Sequence, residues 1–314
     1  MKAAPQPKNK STTGRILLRA LERIAPGWLE QKALSQFGHP RRPRVPREPA
    51  VPGARKFNIE AAGQSLMAWE WGEGPTVLLV HGWSGYSGQM QHFVPPLLKA
   101  GFHVVAIDLP AHGQSEGHWL TLPALADTLA SVFLRLRPHA VVSHSFGAAA
   151  SALALREGFQ PKKVLLIAPP VEMETFVRRS VEAAGLSPAR ADGMLRRIEK
   201  VFGPISQFDL RVVSTRLSTP AVLVHDRGDD EVPFALLEQV SKTWPKSQLV
   251  ETTGYGHSGH LRAEAFCEAT TAFILGKTKT LEFPFSTHET EPRLRSVREK
   301  VKTLAEAVAH STAR

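Results

Sequence analysis

Long apolar runs are missing from this sequence of 314 residues. No stretch of about 18 uncharged apolar residues occurs, so no transmembrane helix is expected. Cysteine is nearly missing as well. The single residue, Cys267, cannot form an intramolecular disulfide, so the fold is expected not to depend on an oxidising compartment. Cys267 lies in "LRAEAFCEATTAFILG", which reads as an amphipathic helix, where a thiol serves as a small buried hydrophobe. The histidines are not joined by Cys or acidic partners at metal-ligand spacing, so no metal centre is expected. Internal repeats and nucleic-acid motifs are missing too. A secretory signal is not read, because arginines and Glu22 interrupt what should be a continuous apolar core. The expected location is cytoplasmic.

Acidic residues are scarce at one end. Residues 1–55 hold twelve Lys/Arg against three Glu, which is +9 of the net +10, leaving about +1 for residues 56–314. The basicity is therefore expected to belong to an appendage, and the main domain is not expected to bind nucleic acid. Within the appendage, "TGRILLRALERIAPGW" (13–28) can form a helix, with Leu17, Leu18, Leu21 and Ile24 on one side and Arg15, Arg19 and Arg23 on another. It can dock on its own domain, or lie on an anionic membrane surface with Trp28 at its end. An organellar transit peptide also stays open. The Pro- and Arg-rich "HPRRPRVPREPAVPGAR" (39–55) reads as an extended linker.

From Lys56 the pattern changes. "KFNIEAAGQSLMAWEWG" reads as two strands around a Gly63-Gln64 turn. Buried-strand runs follow at 76–80, 103–107, 139–143, 163–168, 221–225 and 247–251, alternating with helical segments such as 122–136 and 260–276. That rhythm implies an α/β domain over residues 56–276, its parallel sheet covered on both faces and opened by an antiparallel hairpin. Helix-prone residues between Pro170 and Thr219 interrupt the rhythm, as a small helical cap of about 171–218 would. The polar stretch 277–314 carries a helix signal from Pro292 and no chemistry.

The chemistry gathers at strand ends. In "VVSHSFGAAA" (141–150) Ser145 stands at a strand-to-helix turn, followed by small residues that let the helix pack closely. A serine alcohol needs a base, and the base needs an orienting acid. "AVLVHDRGDDEVP" (221–233) offers Asp226, Asp229 and Asp230, and "TTGYGHSGH" (252–260) offers His257 after Gly254 and Gly256. His260 should fall on the surface of the next helix. In "TVLLVHGWSG" (76–85) the Trp83 N–H can join that of Phe146 as an oxyanion hole.

At this point the sequence resembles the α/β-hydrolase superfamily, in its esterase-like branch. The resemblance covers about residues 56–276 and rests on "HGWSG", "DLPAHGQS", "SHSFGA", "HDRGDDEVP" and "GYGH" in that order. It implies an eight-stranded, mostly parallel sheet with a small cap, no cofactor, and an acyl-serine intermediate. The family's acid stands four residues before the proline of its loop, which selects Asp229, and Gly228 would supply a flexible step before it. His81, His112 and His144 fall at loop-shaping positions. One departure is Ser143, which stands where the family's elbow carries its first glycine. The expected activity is hydrolysis of a small-molecule carboxylic ester by Ser145, His257 and Asp229. Val177, Met194, Leu195 and Ile198, flanked by Phe176 and Phe202, are expected to form an apolar roof. An acyltransferase with the same triad, or a non-catalytic ligand-binding or scaffold protein, are the other readings.

Overall fold

The computed structural model describes residues 19–42 and 47–281. The start of the 13–28 helix signal, part of the 39–55 linker and the signal from Pro292 lie outside them.

The chain opens its sheet with a hairpin, β1 (Arg55–Ala61) and β2 (Gln64–Trp71). The turn is Ala62-Gly63, one residue earlier than the sequence suggests. Both residues have positive φ, +48° and +73°, the backbone twist that a two-residue hairpin needs, and Ala61 pairs with Gln64. Then come β3 (Thr76–Val80), β4 (His103–Ile107), β5 (Ala140–His144), β6 (Lys163–Ile167), β7 (Ala221–Asp226) and β8 (Ser247–Thr252). The sheet order is β1-β2-β4-β3-β5-β6-β7-β8, antiparallel as far as β4 and parallel from there on.

The helices named here are α1 (Pro26–Phe37), α2 (Val94–Lys99), α3 (Leu122–Leu136), α4 (Ser145–Ala154), α5 (Met173–Ala183), α6 (Pro188–Phe202), α7 (Leu210–Ser214), α8 (Phe234–Thr243) and α9 (Glu264–Leu275). Alternation along the strands divides the core. Leu78 and Val80 of β3 pack with α3 and α4 on one face, while Val77 and Leu79 pack with α2 and α9 on the other. Strands buried on both faces read as continuous apolar runs, which is why their positions were visible in the sequence. α3 starts where Thr121 Oγ1 accepts the Ala124 N–H and stops at Arg137, whose φ of +46° ends the helix. Cys267 is buried in α9, and burial pushes its thiol up to about 12, so it stays protonated. Among the described residues no helix is long and apolar enough to cross a membrane.

Between β6 and β7 the cap forms from α5, α6 and α7. Val177, Val181, Met194, Leu195 and Ile198 make a small core of its own. Val177 and Leu195 therefore turn inward rather than forming a roof over the site. The N-terminal segment is no free appendage where it is described. Residues 19–24 are helical, and α1 follows, so Trp28 sits in the first turn of a second helix. Ala33 and Leu34 of α1 pack against the cap core.

Candidate active site

β3 lies between β4 and β5, the point where the chain reverses its direction of progress across the sheet. Loops leaving neighbouring strands part there and open a crevice at their carboxyl ends. Ser145 follows β5, the 81–85 loop follows β3, Asp229 follows β7, and His257 follows β8.

Ser145 is held at φ +51°, a left-handed conformation that costs an ordinary residue of order 1–3 kcal/mol and points its side chain out of the elbow. Its surroundings leave no room for larger neighbours. A Cβ on Gly147 would lie 2.1 Å from the His81 carbonyl oxygen, and one on Gly82 would lie 2.9 Å from Ser145 Cβ. Ser143 is fully buried, and its hydroxyl faces the Leu165 carbonyl of β6 at 3.5 Å. The elbow thus accommodates serine where the resemblance led us to expect glycine.

The structure brings the three sequence-selected side chains together. Ser145 Oγ is 2.8 Å from His257 Nε2, and His257 Nδ1 is 2.8 Å from Asp229 Oδ2. Asp229 has no exposed side-chain surface. Its Oδ1 accepts the Glu231 and Val232 N–H groups at 2.8 and 2.9 Å, and His225 Nε2 stands 3.1 Å from its Oδ2. Burial works against ionising Asp229, but the hydrogen bonds from His225, His257 and Val232 outweigh it and hold the carboxyl far below its ordinary range. Burial likewise opposes a charge on His257, yet Asp229, with Glu231 and Asp230 behind it, raises its pKa above the usual imidazole value.

The neighbouring acids do other work. Asp226 accepts the Gly228 N–H with Oδ1, and the Thr252 hydroxyl and Tyr255 N–H with Oδ2, so it ties the acid loop to the histidine loop. Gly228 is not at positive φ. The turn is shaped by the Asp226 carboxylate rather than by glycine's freedom, whereas Gly256, at φ +57°, uses that freedom just before His257. Glu231 reaches toward the base from solvent. Its exposed carboxylate stands 3.8 Å from His257 Nε2. His260 differs most from expectation: it lies fully buried in a short turn, stacked on Tyr255 and hydrogen-bonded to Thr252.

Three other histidines brace the surrounding loops. His81 donates through Nδ1 to the Gly82 carbonyl and accepts the Leu109 N–H, and His112 donates to the Pro110 carbonyl. His144 Nε2 donates to the His257 carbonyl at 2.9 Å. Of the residues near the triad, His225 had no role in the sequence reading. Its place four positions before Asp229 was the available signal, and only the folded loop turns it toward the carboxylate.

The Trp83 N–H makes no turn or loop hydrogen bond to another backbone group among the described residues. Phe146 is the second residue of α4, where backbone N–H groups lack partners within the helix and the helix dipole is positive. The Trp83 and Phe146 rings meet edge to face, centroids 5.0 Å apart. Both residues line a cleft of about 530 Å³ that also exposes Ser145 and His257. Among the described residues no group of His, Cys, Asp and Glu is placed to hold a metal ion.

Known proteins share this arrangement of strands and loops. The chain is 26% identical over 238 residues to a pimeloyl-[acyl-carrier protein] methyl ester esterase of Aeromonas hydrophila, covering 62% of this chain and 92% of the relative. The Aeromonas salmonicida protein of the same name is 26% identical over 257 residues, with 67% and 99% covered. A Pyrococcus furiosus esterase structure superposes with a TM-score of 0.58 at 19% identity, covering 76% of this chain and 96% of that one. The sequence model of the alpha/beta hydrolase family matches residues 77–269, more than half of the chain, and the chain belongs to that family.

Proposed function

We propose that the chain is a serine esterase that cleaves a carboxylic ester of a small molecule through an acyl-serine intermediate. The observation that carries this reading is the unbroken run of hydrogen bonds from Asp229 through His257 to Ser145. His257 Nε2 takes the Ser145 proton as Oγ attacks the carbonyl carbon. The oxyanion forms against the Trp83 and Phe146 N–H groups, a kind of contact worth roughly 2.7–4 kcal/mol per donor. The imidazolium, supported by Asp229, gives its proton to the leaving alcohol, and water then releases the acid by the same steps. The relatives named for hydrolysis of a methyl ester support ester cleavage as the reaction type.

Fluorophosphonate labelling tests the reading. The wild type should label and hydrolyse short nitrophenyl esters, and Ser145→Ala should do neither. A folded wild type that never labels would return the binding-protein reading to the front.

A further inference from the structure

A second space lies beside the cleft, and the N-terminal segment closes it. This chamber, of about 130 Å³, is bounded by Leu122, Ile198 and Phe202, with Leu34 of α1 and Gly38 just beyond that helix on its outer side. Trp83, Phe146 and Phe176 border both the chamber and the cleft that holds Ser145. Most of the chamber's lining is aliphatic or aromatic, Arg197 Nε donates to Glu30 and the Thr121 hydroxyl caps α3, so the space is suited to carbon.

The segment is fastened at both ends. Glu30 is 8% exposed, and its carboxylate accepts from Arg190 at 2.7 Å and from Arg197 at 3.1 Å, both on the cap helix α6. Gly193 makes room for it, since a Cβ there would lie 2.0 Å from Glu30 Oε1. At the other end, the Gly38 carbonyl accepts the Leu120 N–H at 2.8 Å, and a Cβ on Gly38 would collide with the Trp119 indole at 1.9 Å. Arg42 then donates to the carbonyls of Ala111, Ser115 and Gly117 at 2.8, 2.7 and 2.7 Å. One end grips the cap and the other grips the sheet loops, with the chamber between them.

We propose that residues 26–42 are a working part of the substrate site: they form the outer wall of an apolar chamber that takes the acyl chain of an aliphatic ester, and they set the length of chain accepted. This rests on the serine esterase reading. The orientation follows from the chemistry. His257 Nε2 must protonate the leaving oxygen, so the alcohol faces the cleft wall that carries His257, Ser258 and Arg262. The carbonyl oxygen faces Trp83 and Phe146, and the acyl chain leaves past Phe146 and Phe176 into the chamber.

The test uses full-length protein and two ester series, nitrophenyl esters of lengthening acids and acetates of lengthening alcohols. In the acyl series, wild-type kcat/KM should rise roughly fourfold for each methylene until the chamber is full. Leu34→Trp should lower the hexanoate-to-acetate ratio of kcat/KM at least about tenfold. Leu34→Ala should move the optimum to longer chains, and Glu30→Gln, by releasing the cap, should flatten the profile. Should Leu34→Trp fail to fold, Leu34→Ala carries the test in the opposite direction. Unchanged acyl ratios in the folded variants, or a shift confined to the alcohol series, overturn the proposal. An unlabelled wild type overturns the esterase reading, whereas a labelled wild type with unchanged ratios overturns the chamber alone.

Discussion

His144 donates its Nε2 proton to the backbone carbonyl of His257, 2.9 Å away, so the residue before the elbow serine holds the loop that carries the base. Burial, with His257 nearby, pushes the His144 pKa down to about 3, so the ring stays neutral near neutral pH and has one proton to give. His144→Phe keeps a ring but loses the donor. We expect kcat to fall about 10- to 100-fold with a smaller change in KM, the cost of a slightly misplaced base. Steady-state kinetics and the rate of fluorophosphonate labelling check it, and an unaltered kcat would mean that the loop holds itself.

The three loop aspartates should separate cleanly. Asp229→Asn keeps the shape but favours the wrong imidazole tautomer, a change that lowered turnover about 10⁴-fold in a serine protease. Asp230→Asn should keep most activity, because the side chain is exposed. Asp226→Asn keeps one acceptor oxygen but turns the other into an NH2 group facing a donor, and should cost about 1–3 kcal/mol of stability with a partial loss of activity. The three kcat/KM values and three melting curves decide the assignment, and a near-normal Asp229→Asn would move the role to a neighbour.

The pH dependence of the rate has a definite sign. Only unprotonated His257 can act as base, and its pKa is raised from 6.5, so kcat/KM should fall as pH drops through that raised value. Glu231→Gln removes one of the charges that raise it, and should move the acid limb to lower pH. A limb that moves upward or stays in place would show that Glu231 does not act on the imidazole.

Acid should also destabilise the fold. Burial lowers the pKa values of His81 and His260 to about 4 and those of His112 and His144 to about 3, from an unfolded value of 6.5. Between those limits the unfolded chain binds protons that the folded chain refuses, so this stability is complete above pH 6.5 and is lost as pH falls toward the folded values. Each group contributes up to about 1.4 kcal/mol per pH unit in that window. Tm should therefore be clearly lower at pH 5 than at pH 7. Equal values would argue that these rings are already protonated in the fold.

A membrane role for the basic N-terminal segment remains a proposal with a direct test. Ile24 and Trp28 are 81% and 57% exposed, close in sequence to Arg19 and Arg23. We expect the full chain to bind vesicles containing anionic lipid and to release them as salt screens the charges. Ile24→Ser with Trp28→Ser should weaken that binding. Equal binding by this double variant would sink the idea. Removing residues 1–55 outright is no clean control, because α1 packs on the cap core and borders the chamber beside the cleft.

The sequence by itself determined the sheet and the order of its chemistry. Buried strands show as short apolar runs, and the elbow around Ser145 and the acid loop around Asp229 are local patterns whose meaning survives without coordinates. Tertiary structure alone decided how those parts are held. Glu30 meets Arg190 from 160 positions away, and His144 meets the His257 carbonyl from 113. A charge or an imidazole in a sequence carries no sign of the partner that will cover it. The count of +9 in residues 1–55 marks a basic appendage but does not say whether it docks on its own domain or on a membrane surface. Folded, Arg42 spends its donors on three carbonyls and Glu30 binds two arginines of the cap, because hydrogen bonds and burial depend on distance in space rather than along the chain.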